Sequence, residues 1–467
     1  MNFDVVVIGA GPGGYVGAIR CSQLGLKTLI IERQETLGGT CLNVGCIPTK
    51  TLLELSGHYF TAKTHYKKFG IRLDNLSLDY PRMLQRKENV INQNGKGIRS
   101  LLDKNAVTVL TGHASFKNDQ AIEVLEENGN RLSVSAKHFI IATGAKAFTL
   151  PFAEIDKDRI LTSTEILSLD RIPGSLVIAG AGVIGLEIGT HFARLGTKVD
   201  ILDIADSILP NFDKGLSGEL MRSLKKLGIK FHLSCNIKQV SNKGESVAVV
   251  AHDSKTNDLL FESDYCLLAV GRSPDLKNLG LENTAVKIGD HGTIMVNGQL
   301  QTSVNHIYAI GDVIGGMMLA HKASEEGVIA AESIAGKTRK LNYKAIPSVV
   351  YTSPETASVG YTEEELIVEG IDYKVGTCQN RVLGRAHTAD KLDGFAKVLV
   401  SAKTGVILGV HLVAPHASEM IGEAVVAIEQ RLTAEQLAGF SHAHPTYLEA
   451  LKEACLMASE GKAIHAM

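Results

Sequence analysis

The sequence predicts an α/β protein with two Rossmann-like dinucleotide-binding domains, because one pattern occurs in it twice. The apolar run Asp4-Val-Val-Val-Ile8 leads into Gly9-Ala-Gly11-Pro-Gly13-Gly14, a helical pattern through Leu24, and a second run from Thr28 to Ile31 that ends at Glu32. Further on, Leu176-Val-Ile-Ala179 leads into Gly180-Ala-Gly182-Val-Ile-Gly185, a helical pattern to Leu195, and a run from Lys198 to Leu202 that ends at Asp203. Gly9 to Glu32 and Gly180 to Asp203 share the same offset. Continuous apolar runs of this kind form parallel strands buried on both faces.

The glycines permit a tight turn and close approach to a pyrophosphate at the helix N-terminus, and the terminal acid binds a ribose hydroxyl. Strand, motif, helix, strand and acid in order separate this from an incidental glycine-rich turn. Gly9, Gly11, Gly14 and Glu32 are therefore expected at one dinucleotide, and Gly180, Gly182, Gly185 and Asp203 at another. The Asp203 carboxylate repels a 2′-phosphate, and no Arg or Lys stands between positions 203 and 213. That favours NAD over NADP.

A chain of 467 residues suggests about three or four domains. A net charge of −2 with no basic block argues against nucleic acid or a membrane surface as partner. The hydrophobic runs are short and broken by glycine, so no membrane span is expected. The first strand begins almost at once, at Phe3, which leaves no room for a targeting segment, and a cytoplasmic location is expected. Seven cysteines are too sparse for a secreted disulfide framework and suit a reducing compartment. Cys21, Cys235, Cys266, Cys378 and Cys455 are scattered and read as packing residues.

Cys41 and Cys46 are different. They lie within Gly38-Gly39-Thr40-Cys41-Leu42-Asn43-Val44-Gly45-Cys46-Ile47-Pro48-Thr49-Lys50, at the entrance to an apolar helical run. An undistorted helix would hold their Cα atoms about 8–9 Å apart. That exceeds the roughly 7 Å limit for a disulfide. A bridge needs a bent or widened turn, which Gly45 and Pro48 can supply. A small strained loop is easily reduced, which suits a catalytic disulfide. On these residues alone, a redox pair and two buried thiols stand level. A metal site is not expected, since no second Cys or His pair lies nearby at zinc-like spacing.

The region from Leu76 to Lys104 is polar with a helical pattern, and short strands follow, separated by turns such as Asn128-Gly129. Phe139-Ile-Ile-Ala-Thr143-Gly144 is a strand ending in a small-residue turn that can return to the first nucleotide site.

Five separated stretches, in order, carry a resemblance across essentially the whole chain. They are Gly38 to Lys50; Ala269-Val-Gly271-Arg272; Ile307-Tyr-Ala-Ile-Gly311-Asp312 with Met318-Leu-Ala320-His-Lys-Ala323 and Glu326-Gly327; Ile346 to Thr352 with Pro354-Glu355; and His442-Ala-His444-Pro-Thr446 with Glu449. The chain resembles the flavin-dependent pyridine nucleotide–disulfide oxidoreductases. The resemblance implies FAD in the first unit, NAD in the second, and a C-terminal α+β dimerisation domain. It implies an FAD-binding domain over 1–147, an NAD-binding domain over 148–272, a central domain over 273–344 completing the FAD site, and an interface domain over 345–467.

Carried over position by position, Cys41 is the interchange thiol and Cys46 the flavin-side thiol of a redox-active disulfide. Lys50 approaches the flavin and pairs with Glu187. Thr143, Gly144, Gly271, Arg272 and Ala320 join the cofactor sites, and Gly311-Asp312 is the second FAD fingerprint, with Asp312 on the ribityl chain. His444 is the acid/base, oriented by Glu449 and delivered from the other subunit of a homodimer. His444-Pro445-Thr446 is expected to start a helix with Glu449 in its first turn. Tyr447 and Leu448 depart from the smaller pair usual between Thr446 and Glu449.

Within the family the chain looks like the lipoamide branch. Ile19 stands where glutathione-specific members carry a substrate-binding Arg, and Glu460 to Met467 holds no vicinal cysteine pair. The implied activity is oxidation of protein-bound dihydrolipoamide to lipoamide with reduction of NAD+ through Cys41 and Cys46. The implied partners are lipoyl domains and the subunit-binding domain of a 2-oxo acid dehydrogenase complex, or the lipoylated carrier of glycine cleavage. Reduction of another disulfide, or a docking subunit without chemistry, are the rival expectations.

Overall fold

The computed structural model describes residues 1–465. Ala466 and Met467, which end the stretch without a vicinal cysteine pair, lie outside the described residues.

The strand Asn2–Ile8 is the centre of the first sheet. It pairs in parallel with Thr28–Glu32 on one side and Arg131–Ile141 on the other, and Thr108–Thr111 extends the sheet beyond Thr28–Glu32. Arg131–Ile141 also carries an antiparallel hairpin, His113–Asn118 with Ala121–Leu125. One strand of this sheet arrives late in the chain. Ile307–Ala309 pairs with Arg131–Ile141 in register Ile307 to Phe139. In between, the chain leaves and returns through an antiparallel ribbon of Ala145–Ala147 against Arg272–Pro274.

The excursion between those ribbon strands builds a second parallel sheet, in the order Lys230–His232, Lys198–Leu202, Ser175–Ala179, Tyr265–Leu268, Ile160–Leu161. A three-stranded antiparallel meander, Asn236–Asn242, Val247–His252 and Asp258–Ser263, packs on it. The C-terminal part is a five-stranded antiparallel sheet, in the order Ser348–Val350, Glu355–Gly360, Ile407–Ala414, Phe395–Ser401, Tyr373–Gln379. The helices Ala417–Glu429 and Glu449–Glu460 cover it. A mixed sheet with a parallel centre, a second parallel sheet and an antiparallel α+β unit make up the expected α/β architecture.

The five scattered cysteines are buried thiols. In the last helix Leu451 and Cys455 face the core of their own chain, with Leu448 and Leu456 packed partly buried against it. Two boundaries differ from expectation. The polar helix starts at Tyr80, not Leu76, because the Asp79 side chain caps it, accepting the Arg82 N–H at 3.0 Å. The last helix starts at Glu449, not at Pro445. There the Glu449 carboxylate accepts the Thr446 N–H at 2.8 Å, so side-chain bonding holds residues 444–448 as a turn ahead of the first helical residue. Among the described residues no helix is long and apolar enough to cross a membrane. No group of three or more His, Cys, Asp or Glu among them could hold a metal ion.

Candidate active site

Both glycine turns are built alike, atom by atom. Gly9 and Gly180 take φ of +104° and +110°, and a Cβ on either would run into the carbonyl of Ala142 or Ala269 from the neighbouring strand. Gly14 and Gly185 lie against the carbonyls of Gly9 and Gly180, where no side chain fits. The terminal acids fold back on the turns. Glu32 Oε2 accepts the Ala10 N–H at 2.8 Å, and Asp203 Oδ2 accepts the Ala181 N–H at 2.6 Å. Each carboxylate is thereby fixed beside the turn it follows.

The helices that start from these turns, Pro12–Gln23 and Val183–Leu195, have no side-chain cap. Their first amides are free to bind an anion, which the helix dipole favours. Gly11 and Gly182 have open space before them. Thr143 and Gly144 line the cleft beside the first turn, and the buried Thr143 Oγ1 has no hydrogen-bond partner among the described residues. These are the features that two dinucleotides, FAD and NAD, would satisfy.

A single cleft of about 2060 Å³ connects both turns with Cys41 and Cys46. The cysteines stand on two helices, Gly39–Val44 and Cys46–Thr64, separated at Gly45. Gly45 takes φ −141° and ψ −114°, and a Cβ there would press on the Thr40 carbonyl. The expected break is therefore made at Gly45. Pro48 falls in the first turn of the second helix, where a missing amide costs nothing. Cys41 and Cys46 are free, half-buried thiols. The neighbouring Cys41 thiol, with help from the Lys50 ammonium, pushes Cys46 down to about 7. The neighbouring Cys46 and burial push Cys41 up.

Lys50 Nζ lies 2.7 Å from Glu187 Oε2. Burial works against the ammonium, but Glu187 more than offsets it and keeps the Lys50 pKa above its ordinary value. The other Glu187 oxygen accepts the Tyr351 N–H at 3.0 Å, and Lys50 Nζ sits 4.7 Å from the centre of the Tyr351 ring. Tyr351 was visible in the sequence only as one letter of a motif, and nothing local marked it as a neighbour of Lys50.

Gly271, Arg272, Gly311, Asp312 and Ala320 line the same cleft. The Arg272 guanidinium donates to the Ala145 carbonyl across the ribbon. Burial raises the Asp312 carboxyl, with Arg272 and Lys322 opposing it. Ala320 opens the helix Ala320–Ile334.

His444 and Glu449 are brought together but not to the thiols of their own chain. His444 Nδ1 lies 2.8 Å from Glu449 Oε1, and the imidazole is 75% exposed. Burial would raise the Glu449 carboxyl, yet the bonds from His444 and Thr446 hold it below the ordinary range. Neither residue lines the cleft that holds Cys41 and Cys46. Tyr447, beside them, is buried in the C-terminal core with its hydroxyl donating to the Lys391 carbonyl at 3.1 Å.

Residues 3–327 match the family described as pyridine nucleotide-disulphide oxidoreductase, and residues 346–455 match the dimerisation domain of the same family. Dihydrolipoyl dehydrogenase 1, mitochondrial, of Arabidopsis thaliana is 44% identical over 463 residues, covering 99% of this chain and 91% of that protein. The mitochondrial dihydrolipoyl dehydrogenase of Sus scrofa is 41% identical over 473 residues, covering 100% of this chain and 92% of that protein. The crystal structure of LpdA from Mycobacterium tuberculosis superposes with a TM-score of 0.90 at 26% identity, covering 97% of this chain and 99% of that one. With the glycine turns, the cysteine pair and the C-terminal sheet all inside the matched segments, the chain belongs to the pyridine nucleotide-disulphide oxidoreductase family.

Proposed function

We infer that the protein is a dihydrolipoyl dehydrogenase, a flavoenzyme that oxidises protein-bound dihydrolipoamide to lipoamide and reduces NAD+. The observation that carries this reading is the cleft in which Cys41 and Cys46 share one space with two dinucleotide cradles. Whole-length likeness to proteins named dihydrolipoyl dehydrogenase supports the substrate.

In the working enzyme Cys41 and Cys46 form a disulfide. A substrate thiolate attacks Cys41 Sγ; a new S–S bond forms and Cys46 leaves as a thiolate, held by the Lys50 ammonium. The second substrate sulfur then attacks the first, closing the lipoamide disulfide and expelling Cys41. Glu449 accepts the Nδ1–H of His444, leaving Nε2 free to take the substrate protons. FAD, when bound, supplies the two-electron relay from the dithiol to NAD+. Gly9, Gly11, Gly14, Glu32, Thr143, Gly144, Gly311, Asp312 and Ala320 would hold it, and Lys50 and Arg272 would supply positive charge to that site. Gly180, Gly182, Gly185, Asp203 and Gly271 would hold NAD, with Glu187 orienting Lys50.

The exposed imidazole needs a second copy of the chain to reach a thiol pair, so the site is completed in a homodimer. The working domains are 1–147, 148–272, 273–344 and 345–467. The partners are the lipoyl and subunit-binding domains of a 2-oxo acid dehydrogenase complex, or a lipoylated glycine-cleavage carrier. A reducing compartment, the cytoplasm, suits the five buried free thiols. The test compares NAD+ reduction by dihydrolipoamide with NADPH oxidation by glutathione disulfide. Dihydrolipoamide should be turned over far faster; the reverse would overturn the assignment.

A further inference from the structure

Lys322 and Glu326 stand one turn apart on the helix Ala320–Ile334, with side chains only 2% and 0% exposed. Their charged ends lie 3.0 Å apart. Both reach the same backbone unit, from its two sides. Glu326 Oε2 accepts the Gly311 N–H at 2.7 Å, and Lys322 Nζ donates to the Gly311 carbonyl at 3.4 Å. The remaining carboxylate oxygen accepts the Tyr343 hydroxyl at 2.9 Å. Gly311 takes φ +75°, and the next residue, Asp312, lines the cleft.

The helix that carries this pair is itself fixed. Gly327 lies against the Gly13 carbonyl and the Gly17 backbone with no room for a Cβ. That contact locks it across Pro12–Gln23, the helix that starts from the first glycine turn. Tyr343 stands in the segment that leads into the C-terminal sheet. The carboxylate of Glu326 thus joins three parts of the chain at one point.

Cohesion alone is a poor reason for this arrangement. Two charges taken out of water pay heavily for desolvation, and apolar residues of similar volume often hold a core as well or better. An apolar pair, however, cannot accept an amide proton and donate to the carbonyl of the same residue. We propose that Lys322 and Glu326 are positioning residues: they clamp Gly311 and so aim Asp312 at the ribityl chain of FAD. The inference rests on the reading of Asp312 given above.

The test uses full-length holoenzyme and its apoprotein, with FAD affinity measured by fluorescence titration and folding followed by circular dichroism and apoprotein melting. Lys322→Met with Glu326→Leu removes the acceptor along with both charges and should weaken FAD about tenfold, the cost of one buried unpaired donor. Lys322→Met with Glu326→Gln keeps an acceptor oxygen for Gly311 and should stay within about threefold of the parent. Asp312→Asn should weaken FAD by itself, and adding the Met/Leu pair to it should produce little further loss. Should the Met/Leu protein fail to fold, Tyr343→Phe, which removes one donor to Glu326, should still speed FAD release about twofold or more. Unchanged FAD affinity in the Met/Leu and Tyr343→Phe proteins, or losses that add fully to Asp312→Asn, would overturn the clamp. If Asp312→Asn binds FAD as the parent does, the reading of Asp312 fails, and the clamp with it.

Discussion

Lys50 Nζ stands 2.7 Å from Glu187 Oε2, and this pair joins the cysteine helix Cys46–Thr64 to the helix of the second glycine turn, Val183–Leu195. The two charges act on Cys46 with opposite signs: Lys50 lowers its pKa and Glu187 raises it. Lys50→Met should therefore move the Cys46 thiolate up by about one pH unit, so that less of it is present at neutrality. Glu187→Gln should move it down or leave it in place. The pH midpoint of the long-wavelength thiolate–flavin absorbance in the dithiol-reduced protein reads both. Upward shifts in both variants would show that Glu187 acts on the thiol only through Lys50.

The two thiols are not equivalent, since Cys46 is pushed down and Cys41 up. Cys46→Ser should keep FAD and lose dihydrolipoamide turnover by about a thousandfold or more, because the second sulfur of the relay is gone. Cys41→Ser should also lose turnover yet retain the long-wavelength absorbance of the Cys46 thiolate. Near-parental activity in Cys46→Ser would sink the redox assignment.

Asp203 accepts N–H bonds from Ala181 at 2.6 Å and Ala205 at 2.8 Å, and Ile204 next to it is 71% exposed. An arginine at 204 would stand free to meet a 2′-phosphate. Asp203→Ser with Ile204→Arg should narrow the preference for NAD over NADP by about tenfold, roughly 1.4 kcal/mol. Comparing kcat/KM for the two nucleotides checks it. A parent enzyme that already uses NADP as well as NAD would contradict the reading of Asp203.

His444 does not line the cleft that holds Cys41 of its own chain. His444→Ala homodimers and Cys41→Ser homodimers should each be nearly inactive. Mixed dimers of the two should recover activity, because one of the two shared sites then has an intact thiol pair opposite an intact imidazole. Native mass spectrometry confirms the heterodimer. No recovery in a confirmed heterodimer would place the imidazole and the thiols in the same chain.

Lys397, on the C-terminal sheet, lies 2.7 Å from the fully buried Asp213 at the start of the helix Lys214–Lys226. Burial alone would raise the Asp213 carboxyl, but His411 and Lys397 outweigh it and hold it below the ordinary 3.8. A depressed carboxyl stabilises the fold above its unfolded pKa and loses that contribution as pH falls through the folded pKa. Lys397→Met takes the ammonium away from this buried carboxylate, which keeps its N–H bonds from Gly215 and Leu216, and should cost about 3–5 kcal/mol at neutral pH. The deficit should shrink on acidification, as Asp213 takes a proton. Denaturant midpoints at pH 7 and near pH 4 test both parts.

The amino-acid sequence by itself determined what depends on short stretches of backbone. Each glycine turn needs Gly9 or Gly180 at positive φ and Gly14 or Gly185 against a carbonyl, so the residues must be adjacent in the chain. The break at Gly45 between the two cysteines was legible for the same reason. Tertiary structure decided what depends on residues far apart. Nothing local to Tyr351 announces Lys50 or Glu187, and nothing local to Glu326 announces Gly311; these neighbours are set when sheets and helices stack. The helix after His444 starts later than the sequence implies because its start is set by where the Glu449 carboxylate bonds, at the Thr446 amide and the His444 ring, and not by the proline before it. A side chain that caps from inside the helix leaves no mark in the apolar periodicity from which helix starts are read.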